Sequence, residues 1–320
     1  MERDHLRIIF LGTPQFALPC LELLLQSNND VLAVITKPDA LQGRHKELLA
    51  PPVKLFARKH NLPVVQPETV KDRAFIEKIA QLKPDLLVVV AFGEILSPEF
   101  LKIPSWGGIN IHASILPKYR GGAPVNWAII KGEERTGVTV MKIGEKLDRG
   151  EIILQKEIEI LPDDDALSLK KKLSLLGREA LQDALELIKN DKVVIQRQNE
   201  TEATFAPNLK KEDGEISWDK ESGEIHNLVR GTIPWPGAYT YITLASGKTN
   251  LKIWKTALAE KGVSQRVKPG EITSLSKDGW EVAAGKGLIL IKEVQASGGK
   301  RLAAYDFSLG HGIKPGMKLG

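Results

Sequence analysis

A doubly wound α/β domain with a mostly parallel sheet, followed by a small OB-like C-terminal β-barrel, is the fold that this 320-residue sequence predicts. Three observations carry the prediction. Short, wholly apolar runs alternate with amphipathic stretches through the first half, the pattern of strands buried on both faces between helices. From about Asn190 the chain turns polar, and beyond Pro207 short strand-like segments follow one another between turn signals. The charge divides at the same place: residues 206–320 hold 17 basic and 12 acidic side chains, which is the whole net excess of +5.

The elements follow in order. Arg7–Leu11 reads as the first strand, closed by Gly12-Thr13-Pro14, and Phe16–Leu25 as a helix with Phe16, Leu21, Leu24 and Leu25 on one side. Val31–Thr36 is a second buried strand. Pro51–His60 opens a helix on proline, whose missing N–H costs nothing in the first turn. Leu62–Gln66 is a short strand, Asp72–Leu82 a helix, and Leu86–Ala91 a continuous apolar strand stopped by Gly93. Gly108–His112 and Gly137–Ile143 are further strands, with a helix near Ala123–Lys131 between them, and Ala166–Ile188 is a long helix. The expected organisation is a catalytic domain over 1–189, a polar linker over 190–207 and a basic β domain over 208–320. Strands are expected in that last domain at Tyr239–Leu244, Leu251–Leu258, Gly270–Leu275, Trp280–Ala283 and Leu288–Val294.

Composition excludes several classes. Hydrophobic residues at 42% and charged residues at 27% are globular values, against a wholly disordered chain. No apolar run approaches the roughly 18–20 residues that cross a bilayer. The N-terminal apolar run is short for a secretory signal, and the single cysteine, Cys20, has no internal disulfide partner. A cytoplasmic protein with no membrane partner is therefore expected, and a monomer. The basic C-terminal third suits contact with a polyanion.

The densest chemical signal runs from Gly107 to Pro124. Side chains at i and i+2 of a strand share a face, so Asn110 and His112 project together at a strand's C-terminal end, where open α/β sheets place ligands. An amide donor beside an imidazole suits a developing oxyanion. Asp148, on a turn before Gly150, is a carboxylate suited to fixing the tautomer of His112; spacing alone leaves a turn-forming role equally open. The loop Thr36–Leu48 is long for an α/β connection and carries Lys37, Arg44 and Lys46, a set suited to phosphate contact. The first loop, Gly12–Ala17, lacks G-x-G-x-x-G, which disfavours a dinucleotide, and no metal-ligand spacing occurs.

These residues together resemble a folate-dependent formyltransferase. The resemblance rests on Asn110-x-His112-x-Ser114-Ile115-Leu116-Pro117 with Arg120–Pro124, and on Leu147-Asp148-Arg149-Gly150, where the family more often has Thr before the glycine. Narrower likeness, to the branch acting on methionyl-tRNA, lies in Ile9–Ala17, the Lys37–Arg44 loop, Pro51–Lys54, Ile216–Trp218 and Pro234–Ala238. The resemblance implies 10-formyltetrahydrofolate as co-substrate, without a metal, and the α-amino group of initiator methionyl-tRNA as acceptor. It implies catalytic roles for Asn110, His112 and Asp148, with Asn110 and His112 holding the formyl oxygen. It implies a folate pocket lined by Ser114, Ile115, Leu116 and Pro117 with Phe92, Gly93 and Ile95. Contacts to tRNA are expected from Lys37, Arg44, Lys46, Lys248, Lys252 and Arg301. A formyltransferase for a small amine, a formyltetrahydrofolate hydrolase or a non-catalytic nucleic-acid-binding protein are the alternatives.

Overall fold

The computed structural model describes residues 5–42, 47–144, 146–245, 247–259 and 267–320; Arg44 and Lys46 lie outside them. The chain forms two compact units. Met1–Pro124, Arg135–Glu159 and Lys170–Pro207 make the first; Val125–Glu134, Ile160–Leu169 and Asn208–Gly320 make the second.

The first unit begins with β1 (Arg7–Gly12), α1 (Leu18–Gln26) and β2 (Asp30–Ile35). A small hairpin of β3 (Ala40–Gln42) and β4 (Glu47–Leu49) precedes α2 (Pro52–Lys59), β5 (Val64–Val65), α3 (Arg73–Gln81) and β6 (Leu86–Val90). Then come α4 (Pro98–Leu101), β7 (Gly108–His112), β8 (Arg135–Lys142), β9 (Ile152–Glu159) and all but the first turn of α6 (Ala166–Lys189), while α5 (Pro124–Ile130) falls in the second unit after Pro124. The helices start where local chemistry allows. Asp72 accepts from the Phe75 N–H at 2.8 Å to cap α3, and α2 opens on Pro52. The sheet runs β5-β2-β1-β6-β7-β8-β9 and is parallel through β7; β8 and β9 are antiparallel. Every residue of β6 is buried, and Ile9, Leu11, Ile35, Leu87 and Val89 pack with Phe75, Ile79 and Phe100 in one core cluster.

Two departures from the sequence expectation in the first unit bear on the site. Strand β9 has no expected counterpart: it is a sheet edge, half-exposed along Leu154–Glu159, and its mixed pattern hides it. The stretch 190–207, read as a linker, is bonded along the first unit. Ile152 and Gln196 exchange both backbone hydrogen bonds at 2.8 and 2.9 Å, and Ala206 N–H donates to the Arg120 carbonyl at 2.7 Å. Polar extended chain looks the same whether it crosses solvent or pairs through its backbone, since backbone bonds leave no mark on composition.

The second unit adds α7 (Ser222–Gly231), β10 (Ala238–Leu244), β11 (Gly247–Leu258), β12 (Ile272–Ser276), β13 (Gly279–Ala283), β14 (Leu288–Ala296), β15 (Leu302–Ala303) and α8 (Ala304–His311). Its antiparallel strands run β10-β11-β14-β13-β12, with β15 on β14. The outer strands are not paired with each other. The chain end joins them instead: Leu319 bridges Ile242, Lys318 bridges Glu271, and Gly320 N–H donates to the Tyr241 carbonyl at 2.8 Å. Trp280, Ile253, Ile289, Ile291 and Phe307 fill the interior. Among the described residues no helix is long and apolar enough to cross a membrane.

Helix α7 carries His226, whose Nδ1 lies 2.8 Å from Thr256 Oγ1. Burial pushes its imidazole down to about 4, with Arg230 pushing the same way against Pro162 and Asp163. The unfolded chain takes up this proton near pH 6.5 and the folded chain near 4. The stability tied to the neutral ring is therefore complete above pH 6.5 and is lost as the pH falls from there toward 4. Thermal melts of His226→Gln are expected to lose part of the acid-side fall in Tm across that window; an unchanged slope would assign the acid sensitivity elsewhere.

Candidate active site

Strand β7 lies between β6 and β8, with Asn110 opposite Val89 and Met141 and His112 opposite Thr139. Its alternation puts Asn110 and His112 on one face at the C-terminal edge of the parallel strands. Loops after neighbouring strands meet there: Thr13, after β1, donates from Oγ1 to the Phe92 carbonyl, after β6, at 3.3 Å. Asn110 is half-buried, and among the described residues its side-chain amide takes no hydrogen-bond partner.

His112 and Asp148 are both buried, each 6% exposed. His112 Nε2 lies 3.0 Å from the Tyr119 carbonyl, which can only accept, so this nitrogen carries a proton. Nδ1 lies 3.6 Å from Asp148 Oδ1, an electrostatic contact rather than a hydrogen bond. The other carboxylate oxygen, Oδ2, accepts from Gly121 N–H at 2.8 Å. Both ring nitrogens therefore have protein partners, and Asn110 alone of the pair presents uncommitted donors. The backbone around them is held in the left-handed region at Tyr119 (φ 60°) and Asp148 (φ 53°). Gly121, at φ 125°, leaves no room for a side chain, because a Cβ there would lie 2.6 Å from the Ala206 carbonyl oxygen.

The loop after β7 is held from the sheet. Thr139 of β8 donates to the Ser114 carbonyl at 2.7 Å and accepts from Leu116 N–H at 3.1 Å; Gln155 of β9 donates to the Leu116 carbonyl at 2.9 Å. Ser114 is buried with its hydroxyl on the Lys118 carbonyl at 2.6 Å, and Leu116 packs on Met141 and Ile152. Of the four expected folate-lining residues on this loop, Ile115 and Pro117 keep partly open side chains. Across the edge, Phe92 is buried in the core, Gly93 turns at φ 79° and Ile95 is 58% exposed.

Lys37 occupies a place that its loop position does not suggest. Its Nζ pairs with Glu94 and lies 5.3 Å from the Phe92 ring centre. Glu94 also accepts from Thr69 Oγ1 at 2.9 Å and Val70 N–H at 3.1 Å. Burial pushes its carboxyl up, and these three bonds together bring it below the ordinary glutamate value. Nearby, buried Lys54 donates to Asp39 at 2.6 and 2.7 Å, and Gln66 Nε2 reaches the Lys37 carbonyl and Asp39 at 2.7 and 2.9 Å. Lys37 thus braces the base of the hairpin loop. A lysine reads the same in sequence whether it faces solvent or a glutamate 57 residues away.

In the second unit, Lys252 Nζ and the Arg301 guanidinium each lie 5.3 Å from the Trp254 ring centre, so one indole gathers both cations. Lys248 lies 4.8 Å from the Tyr241 ring centre. In the β10–β11 register Tyr239 faces Lys252 and Thr243 faces Lys248, which sets the aromatic and basic side chains on one sheet face. The aromatic members were not singled out from sequence; the alternation Lys248-x-Asn250-x-Lys252-x-Trp254 is the signal that marks them. Among the described residues no group of three or more His, Cys, Asp or Glu could hold a metal ion.

An amide donor beside a buried imidazole–carboxylate pair stands at the edge of a mostly parallel sheet, and the sequence comparisons give the class of the chain. Residues 6–185 match the formyl transferase family, and residues 208–312 match the formyl transferase C-terminal domain. The chain belongs to that family. Its relatives include the methionyl-tRNA formyltransferase of Geobacter metallireducens, 47% identical over 315 residues, which cover 98% of this chain and 99% of that protein. The methionyl-tRNA formyltransferase of Alkaliphilus oremlandii is 44% identical, covering 98% and 100%. Among solved structures, the sugar 3N-formyl transferase WlaRD, crystallised with dTDP and 5-N-formyl-THF, superposes with a TM-score of 0.67 at 21% identity, covering 89% of this chain and 97% of that one. At that identity the likeness is one of fold.

Proposed function

We propose that this chain transfers the formyl group of 10-formyltetrahydrofolate to the α-amino group of initiator methionyl-tRNA, giving N-formylmethionyl-tRNA for translation initiation. The observation that carries this reading is the buried His112–Asp148 pair beside the uncommitted Asn110 amide, in a chain related along 98% of its length to methionyl-tRNA formyltransferases.

The chemistry follows from those groups. The neutral amine attacks the formyl carbon, a C–N bond forms, and the carbonyl electron pair moves onto oxygen. Asn110 donates to that oxygen as its charge grows. A free α-amino group titrates near 7.7–8 and that of an aminoacyl ester lower still, so much of it is already neutral and a strong base is not needed. Nδ1 of His112, facing Asp148, takes the amine proton directly or through a water, and the carboxylate balances the imidazolium that results. Collapse breaks the bond to the folate nitrogen, which leaves with the proton that His112 received, so the ring returns to its starting state. The loop at Ile115 and Pro117, with Ile95 opposite, offers the apolar walls a pteridine ring needs.

The second unit is read as an OB-like barrel, its outer strands linked by the chain end, that docks tRNA on the face bearing Tyr241, Lys248, Lys252, Trp254 and Arg301. Arg44 and Lys46 of the hairpin loop are assigned to the same polyanion; Lys37 is assigned to the brace on Glu94. The protein is taken to work as a monomer in the cytoplasm. Formyl transfer to methionyl-tRNA, to amino sugars and to water, measured side by side with 10-formyltetrahydrofolate, tests the whole reading. Rate on methionyl-tRNA should dominate, and dominant turnover of a sugar amine or of water would replace it. The docking face has its own test. Removing two phosphate-contacting cations should flatten the log–log salt dependence of tRNA affinity by about 1.5–2. Lys252→Ala with Arg301→Ala is expected to do so, and an unchanged slope in a filter-binding titration would take those residues out of the interface.

A further inference from the structure

The turn that carries Asp148 is held by a closed ring of hydrogen bonds in which the Gln198 side chain reaches Asp148's own backbone. Gln198 Nε2 donates to the Asp148 carbonyl at 3.0 Å and to the Gly150 carbonyl at 2.7 Å. Its Oε1 accepts from Arg120 Nε and Nη2 at 3.1 and 2.7 Å. Arg120 immediately precedes Gly121, whose N–H holds Asp148 Oδ2. The ring therefore runs from the carboxylate to Gly121, through Arg120 to Gln198, and back to the Asp148 carbonyl. It fixes the residue at both ends while its backbone sits at φ 53°.

Arg120 is itself anchored. It is 3% exposed and makes a two-pronged pair with Glu200, Nη1–Oε2 and Nη2–Oε1 both at 2.9 Å. A buried guanidinium needs such a partner, since an unpaired one is costly to desolvate. The Arg120 bond is the first cause holding the Glu200 carboxyl below its ordinary value, so the pair stays ionised near neutrality. Gly150 leaves the turn no slack, because a Cβ there would lie 1.6 Å from the Lys142 carbonyl oxygen. At the junction the side chain must donate to two carbonyls and accept from a guanidinium at once. A carboxamide does both, and a carboxylate does only the second.

We propose that Gln198 is a positioning residue for formyl transfer: with Arg120 and Glu200 it sets the place of the Asp148 carboxylate against His112, and so tunes the rate of the chemical step. The proposal rests on the reading of Asp148 as the carboxylate of that step. It also gives the 190–207 stretch a task, because this stretch brings Gln198 and Glu200 to the site.

The test is Gln198→Glu, which keeps shape and the acceptor for Arg120 but turns an oxygen onto two carbonyls. A displacement of about 1 Å in a catalytic group can cost about 10²-fold. Single-turnover rates on methionyl-tRNA should fall about 10–100-fold, with KM for both substrates within about threefold of the parent. The same change is then made in an Asp148→Asn chain. If Gln198 acts by placing the carboxylate, it should cost under about threefold there; a merely structural role would cost the same in both backgrounds. A parent-like rate for Gln198→Glu, or an equal loss in both backgrounds, overturns the proposal. Failure of the underlying reading looks different, since Asp148→Asn alone would then keep its full rate. Should Gln198→Glu not fold, Glu200→Gln at the exposed end of the network is expected to cost about 3–10-fold in the first background and nothing in the second, and equal losses again overturn the proposal.

Discussion

Asn110→Ala is expected to lower the rate of formyl transfer about 10²–10³-fold while leaving Tm unchanged or slightly raised. The expectation combines two facts about one amide. In the resting protein it is half-buried and, among the described residues, without a hydrogen-bond partner, so its removal breaks no bond described there and relieves a partly desolvated polar group. In the proposed reaction it meets an oxygen whose charge appears only as the amine adds. An interaction made mainly in the transition state lowers kcat and kcat/KM together and leaves ground-state binding in place. His112→Ala is expected to cost at least as much in rate, but it also leaves the buried carboxylate of Asp148 without its imidazole neighbour, so a lower Tm should accompany it. Calorimetry beside single-turnover kinetics separates the two variants. A rate within about threefold of the parent for Asn110→Ala would remove the amide from the transition state.

How far the sequence reveals this arrangement depends on which atoms do the work. Strands β1 and β6 are plain in it because both their faces are buried, so Ile8–Leu11 and Leu86–Val90 are apolar throughout. The direction of β8 is not, since nothing within an apolar strand records which way its neighbour runs. Asn110 and His112 stand out because period-two alternation ties them to one face. Asp148 stands out only through resemblance, since a turn before Gly150 explains an aspartate equally well. The partners that orient the pair are the Tyr119 carbonyl and the Gly121 N–H, backbone groups that every residue but proline carries in full. Gln198 and Glu200 sit in a stretch whose polarity suggests solvent, and Lys37 reads as a free cation until Glu94 is seen beside it. Helix α7 was legible in principle: Glu221 and Glu224 form a capping pair before Ile225, Leu228 and Val229, a helical spacing in a region otherwise rich in strand signals.

Asp148→Asn should reduce the chemical step about 10²-fold or more with the fold retained. Asparagine is the informative replacement because position 148 sits at φ 53°, a region it tolerates better than alanine does. Its carbonyl oxygen can keep the bond from Gly121 N–H that Oδ2 now accepts at 2.8 Å, so the turn retains its anchor. What changes lies 3.6 Å away at His112 Nδ1. There the amide presents an N–H to the ring nitrogen in place of a negative oxygen. With Nε2 already donating to Tyr119, the ring then has its remaining lone pair capped by a hydrogen bond. It can neither receive the amine proton nor gain from a carboxylate as positive charge develops. Folate affinity should be nearly unchanged, because none of the groups assigned to that pocket moves. Equilibrium binding of 10-formyltetrahydrofolate and single-turnover formylation of methionyl-tRNA, run on the same preparation, check both halves. A slow enzyme with normal folate affinity is the expected result. A normal rate would show that His112 completes the proton transfer without a negative neighbour, leaving Asp148 as a turn residue.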